Sequence, residues 1–147
     1  MIDRYGCAVI SDFGLSKVME GMTDRVGQSF FAGSIRWMAP ELIPTLTGDN
    51  SSNAVVTTYS DVFAFAAVCL EVATGQLPYH YHPNDVTVLV AVVRGARPRR
   101  GVLKDTFIKE EDTFWALLED CWSEVPKDRP CMQEMLRFFQ SVSLKAY

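Results

Sequence analysis

The sequence predicts a mainly α domain with one short β-hairpin at its front, and three observations carry that expectation. Residues 59–74, YSDVFAFAAVCLEVAT, are apolar almost all round, the pattern of a helix enclosed by its neighbours. Residues 111–122 set Phe114, Leu117, Leu118, Cys121 and Trp122 at spacings of three and four, the inner stripe of an amphipathic helix. Ahead of both, Tyr5-Gly6 is a turn signal between MID and the apolar run Cys7-Ala8-Val9-Ile10.

From Ser11 to about Trp37 no period is sustained, and Gly14, Gly21, Gly27 and Gly33 punctuate the stretch. Val18, Met19, Met22, Phe30 and Phe31 make it too apolar for a solvated tail, so a long ordered loop is expected. A short helix should start at Ala39-Pro40-Glu41, because proline suits a first helical turn. TGDNSSN, residues 47–53, reads as a polar surface loop. The helix over 59–74 stops at Gly75 and Pro78. A second helix runs from Asn84, its N-cap, to about Arg94, with Gly95 as the breaker. Pro126 ends the helix over 111–122 and Pro130 starts the last one, whose inner face is expected to be Met132, Met135, Leu136, Phe139 and Val142. The chain shows no internal repeat and no low-complexity segment.

A chain of 147 residues is the size of one domain, and 48% hydrophobic with 22% charged residues is ordinary for a globular protein. The net charge of −4 offers no general attraction for nucleic acid or an anionic membrane, and Arg94, Arg97, Arg99 and Arg100 read as a solvated turn. Cys7, Cys69, Cys121 and Cys131 form no CxxC pair; Cys69 and Cys121 fall within apolar helical patterns as small hydrophobes. Asp3 and Arg4 interrupt any secretory signal, and the apolar runs 62–70 and 86–93 are far below the ~18–20 residues of a membrane span. The expectation is a soluble protein of a reducing, cytoplasmic compartment, with neither nucleic acid nor membrane as partner.

Chemistry is first suggested by VISDFGLSK, residues 9–17. A carboxylate just beyond a strand end, followed by a flexible glycine, can reach a Mg²⁺ that bridges two phosphates. Alone, the Asp12-Phe13-Gly14 tripeptide is better read as a strand-to-turn aspartate capping its own backbone. It is not alone: GSIRWMAPEL (33–42), YSDVFAFAAVCLEVATGQLPY (59–79) and CWSEVPKDRP (121–130) follow in order.

This order and spacing resemble the C-terminal lobe of a protein kinase over essentially the whole chain, from the Asp-Phe-Gly motif to the final helix. The Trp-Met-Ala-Pro-Glu form and the Trp-x-x-x-Pro-x-x-Arg-Pro ending are most similar to the tyrosine-kinase-like group, most of which phosphorylates serine or threonine. The resemblance implies an activation segment over 12–41 and a helical C-lobe over 42–147. Asp12 would hold Mg²⁺, and Phe13 would set the active or inactive pose of Asp12, the Asp12-Phe13-Gly14 triplet facing ATP. Ser16, Thr23 and Ser29 would be candidate phosphorylation sites. Gly33-Ser34 would lie under the acceptor residue, Ser34 keeping the hydroxyl of the more usual threonine, with Trp37 in the same segment. Glu41 would pair with Arg129 in a buried bidentate bridge, and Asp61 would receive backbone N–H groups of the catalytic loop.

Bland alternatives stand beside these roles. Glu41 could be a first-turn helix acid and Asp61 a cap or first-turn acid; singly these are simpler, and the ordered set favours the kinase roles. His80 and His82 lack a third ligand in sequence and read as surface residues of a turn. Trp37, Trp115 and Trp122 read as core or packing residues. Two departures from the family pattern are mild: Ala66 replaces a usual glycine, and the stretch between Glu41 and Asp61 is longer than usual.

The resemblance also implies that the N-lobe is absent from these residues, with its Gly-rich loop, ATP-pairing lysine and that lysine's glutamate. The His-Arg-Asp loop, whose base typically contributes ~10²–10⁴-fold, is expected upstream of Met1. The full-length form would transfer phosphate from Mg-ATP to protein serine or threonine. The 147 residues alone are expected to bind neither ATP nor Mg²⁺ tightly, to be inert, and to be less stable than an intact kinase domain. Expected partners are a protein substrate or regulatory protein and the missing N-lobe. The alternative is a non-catalytic kinase-like interaction module; the ordered motifs disfavour an unrelated helical protein.

Overall fold

The computed structural model describes residues 1–11, 35–43, 56–104, 108 and 110–141. The chain forms two compact units, Met1–Ala32 and Gly33–Tyr147.

In the first unit Asp3 organises a tight turn, its Oδ1 accepting the N–H groups of Tyr5 and Cys7, each at 2.8 Å. Gly6 takes φ 81°, a left-handed value that a side chain would strain. The arms meet in one antiparallel bridge, Ile2 opposite Ala8, and the Val9 N–H donates to the Met1 carbonyl at 2.9 Å. The hairpin expected around Tyr5-Gly6 is this single bridge.

Among the described residues the second unit holds helices α1 (Thr58–Thr74), α2 (Asp85–Val93), α3 (Glu111–Cys121) and α4 (Met132–Ser141), with 3-10 turns at Ile35–Trp37, Pro40–Leu42 and Pro126–Asp128. The short helix expected at Ala39-Pro40-Glu41 is the second of those turns. The expected long loop from Ser11 to about Trp37 and the polar loop TGDNSSN lie largely or wholly outside the described residues.

Helix α1 starts in a capping box. Thr57 Oγ1 accepts the Ser60 N–H, and Ser60 Oγ accepts the Thr57 N–H at 3.0 Å. It ends at Gly75, whose φ of 65° lets its N–H reach the Glu71 carbonyl at 2.7 Å. Val62, Phe63, Ala66, Leu70 and Ala73 make one fully buried face. Against that face pack α3 and the turns Ile35–Trp37 and Pro126–Asp128. Phe114, Trp115, Leu118, Cys121 and Trp122 of α3 and its C-cap complete the core, with Met135 of α4. Helix α2 also begins with a capping box, Asn84 Oδ1 accepting the Thr87 N–H at 3.0 Å, and packs on the Ile35–Trp37 turn.

Three expectations are corrected. Helix α1 is not enclosed on all sides: Val68 and Val72 are 44% and 70% exposed, on the side away from the buried face of Val62, Ala66 and Ala73 against which α3 packs. Pro126 does not end α3, which stops at Cys121; it opens the next 3-10 turn, where its fixed φ suits the first position. The inner face of α4 is Met135 with half-buried Phe138 and Phe139, while Met132 and Leu136 are 43% and 50% exposed. Phe139 meets Phe65 of α1 edge-on at 6.0 Å between ring centroids, which fixes that orientation; Val142 is outside the described residues.

Burial also sorts the cysteines. It pushes the thiols of Cys69 and Cys121 up to about 12, and Cys121 Sγ lies 3.2 Å from Met135 Sδ. Cys7 and Cys131 are exposed. Because the thiolate is the nucleophile, iodoacetamide at about pH 8 is expected to label Cys7 and Cys131 and to spare Cys69 and Cys121 until the chain is unfolded. Peptide mass mapping of native and urea-treated protein checks this; fast native labelling of Cys121 would contradict the packing of α3 on α4.

Candidate functional site

The sequence-singled residues that the structure brings together are Glu41 and Arg129, 88 positions apart. Pro40 opens the 3-10 turn that presents Glu41, and Arg129 follows the turn Pro126–Asp128, its N–H bonded to the Pro126 carbonyl at 3.2 Å. The pair is bidentate: Nη1 to Oε1 at 2.6 Å and Nη2 to Oε2 at 2.9 Å. Arg129 Nη1 also donates to the Tyr59 carbonyl at 3.0 Å and Nε to the Ser123 carbonyl at 3.1 Å. The guanidinium lies 5.1 Å from the centroid of the buried Phe63 ring. With its side chain 0% exposed, Arg129 has an acceptor for each of its three nitrogens.

Burial pushes the Glu41 carboxyl up, but the hydrogen bond from Arg129, its own backbone N–H and the Arg129 and Arg97 charges outweigh that, so the group sits below its ordinary 4.5. Its ionised form is what the fold stabilises.

Two further ties hold the same segment, and sequence reasoning did not foresee either. Arg36 Nε donates to Asp85 Oδ1 at 2.8 Å, and its Nη1 reaches the carbonyls of Pro78 and Tyr79 at 3.0 and 3.1 Å. Tyr79 is buried with a left-handed φ of 56°, unusual for a residue with a side chain, and Arg36 bonds the carbonyls on both sides of that kink. Trp37 Nε1 donates to Glu71 Oε2 of α1 at 3.0 Å. The signal available in sequence was only Arg36 and Trp37 standing beside Met38-Ala39-Pro40-Glu41; their acceptors lie more than thirty residues away and carry no local pattern.

Asp61 sits in the first turn of α1, exposed, and its carboxylate has no hydrogen-bond or ion-pair partner among the described residues. Asp12, Phe13, Gly14 and Ser34, with Ser16, Thr23 and Ser29, lie outside the described residues. His80 is exposed and His82 half-buried, 4.8 Å from the Tyr81 ring centroid. Among the described residues no group of three or more His, Cys, Asp or Glu side chains could hold a metal ion, and no helix is long and apolar enough to cross a membrane.

Residues 1–139 match the family profile described as protein tyrosine and serine/threonine kinase. The chain belongs to the protein kinase family. A light-sensor protein kinase of Ceratodon purpureus is 36% identical over 128 residues, covering 82% of this chain and 9% of the relative. Serine/threonine-protein kinase STY17 of Arabidopsis thaliana is 30% identical over 142 residues, 97% of this chain and 22% of the relative. The cytoplasmic tyrosine-protein kinase BMX of Homo sapiens is 30% identical over 139 residues, 92% and 18%. The chain thus spans less than a quarter of the length of these relatives. The mostly helical architecture is that of a kinase C-lobe segment.

Within the kinase segment, Arg129→Ala is expected to destabilise the fold by about 3–5 kcal/mol, since Glu41 and two carbonyls lose their donor in a buried setting. Glu41→Gln should cost less, because an amide oxygen still accepts one bond. The Glu41 contribution is present above the ordinary carboxyl value of 4.5 and is lost as pH falls through the lower folded value. Urea denaturation from neutral to acid pH should therefore show a shallower acid limb in Glu41→Gln than in the parent; identical limbs would contradict the assignment.

Proposed function

We propose that these 147 residues are the C-terminal lobe of a serine/threonine protein kinase, with 12–41 its activation segment and 42–147 its helical body. The observation that carries this reading is the Glu41–Arg129 bridge, which fastens the end of that segment to the core within a chain matching the family over residues 1–139. Asp12 is the proposed Mg²⁺ ligand, with Phe13 and Gly14 beside it toward ATP; in the full-length form those two reagents supply the transferable phosphoryl group and its charge neutralisation. Ser34 and Trp37 belong to the surface that meets the acceptor protein. The serine/threonine preference is supported by relatives such as STY17. Asp61, exposed and unpaired at the start of α1, is the proposed acceptor for backbone N–H groups of the catalytic loop.

The 147 residues contain no His-Arg-Asp triplet, so the general base and the ATP grip are assigned to residues outside them. Taken by themselves they are inert, and the non-catalytic interaction module remains the second reading on that observation. The free cysteines suit the reducing cytoplasm.

Calorimetric titration of the 147-residue chain with Mg-ATP is expected to give no saturable binding; micromolar affinity would overturn the division of labour. The reading frame ahead of Met1 is expected to encode His-Arg-Asp, whereas a stop codon there would favour the interaction module.

A further inference from the structure

A groove of about 760 Å³ opens beside α2. Helix α2 and its C-cap contribute to the lining, where Val86, Val90 and Arg94 follow at intervals of four and so form one ridge. Val86 and Val90 are 69% and 44% exposed. Arg97 and Arg99 form the rim beyond Gly95. The space is in the range of clefts that receive a ligand of several groups.

The groove's own lining is positive, although the Arg97 charge also acts on Glu41. No carboxylate lines it, and among the described residues Arg94, Arg97 and Arg99 have no ion-pair partner, unlike Arg36, Arg100 and Arg129. Arg97 spends Nε and Nη1 on the neutral carbonyls of Trp122 and Ala96, at 2.9 and 3.0 Å, and Arg99 stacks 4.4 Å over the Tyr81 ring. These contacts hold the Arg97 and Arg99 guanidiniums in place without an ion pair. In a chain of net charge −4, two held cations and the exposed Arg94 beside an exposed valine ridge form a local feature with a definite complement.

We propose that this groove docks an acidic segment of a partner protein that sets an apolar side chain against Val86 and Val90 and carboxylates against Arg94, Arg97 and Arg99. The proposal goes beyond phosphoryl transfer, and its readout is binding alone, so it fails or survives separately from the kinase reading.

The probe is a short fluorescein-labelled peptide of glutamate and leucine, followed by fluorescence anisotropy against the 147-residue chain. Saturable binding that weakens with added salt is expected, with at least about a tenfold loss in the Arg94→Glu, Arg99→Glu double variant and a clear loss in Val90→Glu. All three positions are exposed, so thermal melts should match the parent; the milder Arg94→Gln, Arg99→Gln pair serves if they do not. Equal binding of a lysine-for-glutamate peptide, or indifference to these variants, overturns the proposal. So does tighter binding to phosphatidylserine vesicles than to the peptide, or a dimer of the chain that closes over Val90 in sedimentation velocity.

Discussion

The guanidinium of Arg129 is a full positive charge with no access to water, and the second unit is arranged around making that tolerable. A charge taken out of water costs several kcal/mol unless its donors are all met, and here two carboxylate oxygens and two carbonyls meet them. Those acceptors come from three places: the Pro40–Leu42 turn, the first turns of α1 at Tyr59, and the loop after α3 at Ser123. Removing any one exposes the others to an unpaired charge. The site is therefore cooperative in a way that an apolar contact of equal size is not. A lysine could not replace it, because one ammonium cannot span a bidentate carboxylate and two further carbonyls in fixed directions.

Arg36 and Trp37 extend the same logic to the other end of the short stretch 35–43. Arg36 clamps the Pro78–Tyr79 kink and the first residue of α2, and Trp37 ties to Glu71 on α1. Between them Met38 and Ala39 are buried, and Ile43 follows at 1% exposure. A nine-residue stretch with only two 3-10 turns of its own is thus held by apolar burial, by Arg36 and Trp37 reaching outward, and by Arg129 reaching in to Glu41. On the proposed reading this makes the end of the activation segment a fixed platform, whatever the residues before it do.

Much of the fold was legible because its determinants are local. Asn84 as a cap, Gly75 as a stop and the stripe of α3 each depend on residues within one or two turns, and each appears where the sequence put it. Errors came where a distant partner decides. The apolar set on α4 allows two overlapping inner faces, and the edge contact of Phe139 with Phe65 selects one. The basic stretch 94–100 is solvated at Arg94, Arg99 and Arg100 as expected, but the surface pair of Arg100 with Glu119, through two bonds of 2.7 and 2.9 Å, and the reach of Arg97 to the Trp122 carbonyl carry no local signal. Those acceptors lie 19 and 25 positions on, outside any window a periodicity can see. Glu41 and Arg129 were foreseen only through resemblance; nothing local in either stretch points to the other.

The open stripe of α1 joins stability to the proposed function. At 100° per residue, Asp61, Val68 and Val72 fall on one line of the helix, opposite the buried face of Val62, Ala66 and Ala73. Covering the two exposed valines would recover a part of the roughly 1.5–3 kcal/mol that full burial of such a side chain gives, more at Val72 (70% exposed) than at Val68 (44%). A carboxylate at the head of that line, at the positive end of the helix dipole, is already poised for N–H donors. If the catalytic loop docks there, one surface both anchors the base-bearing loop and covers the valines. Catalytic competence and the stability of the lobe then rise together: what completes the active site also completes the packing of the helix on which the rest of the lobe is built.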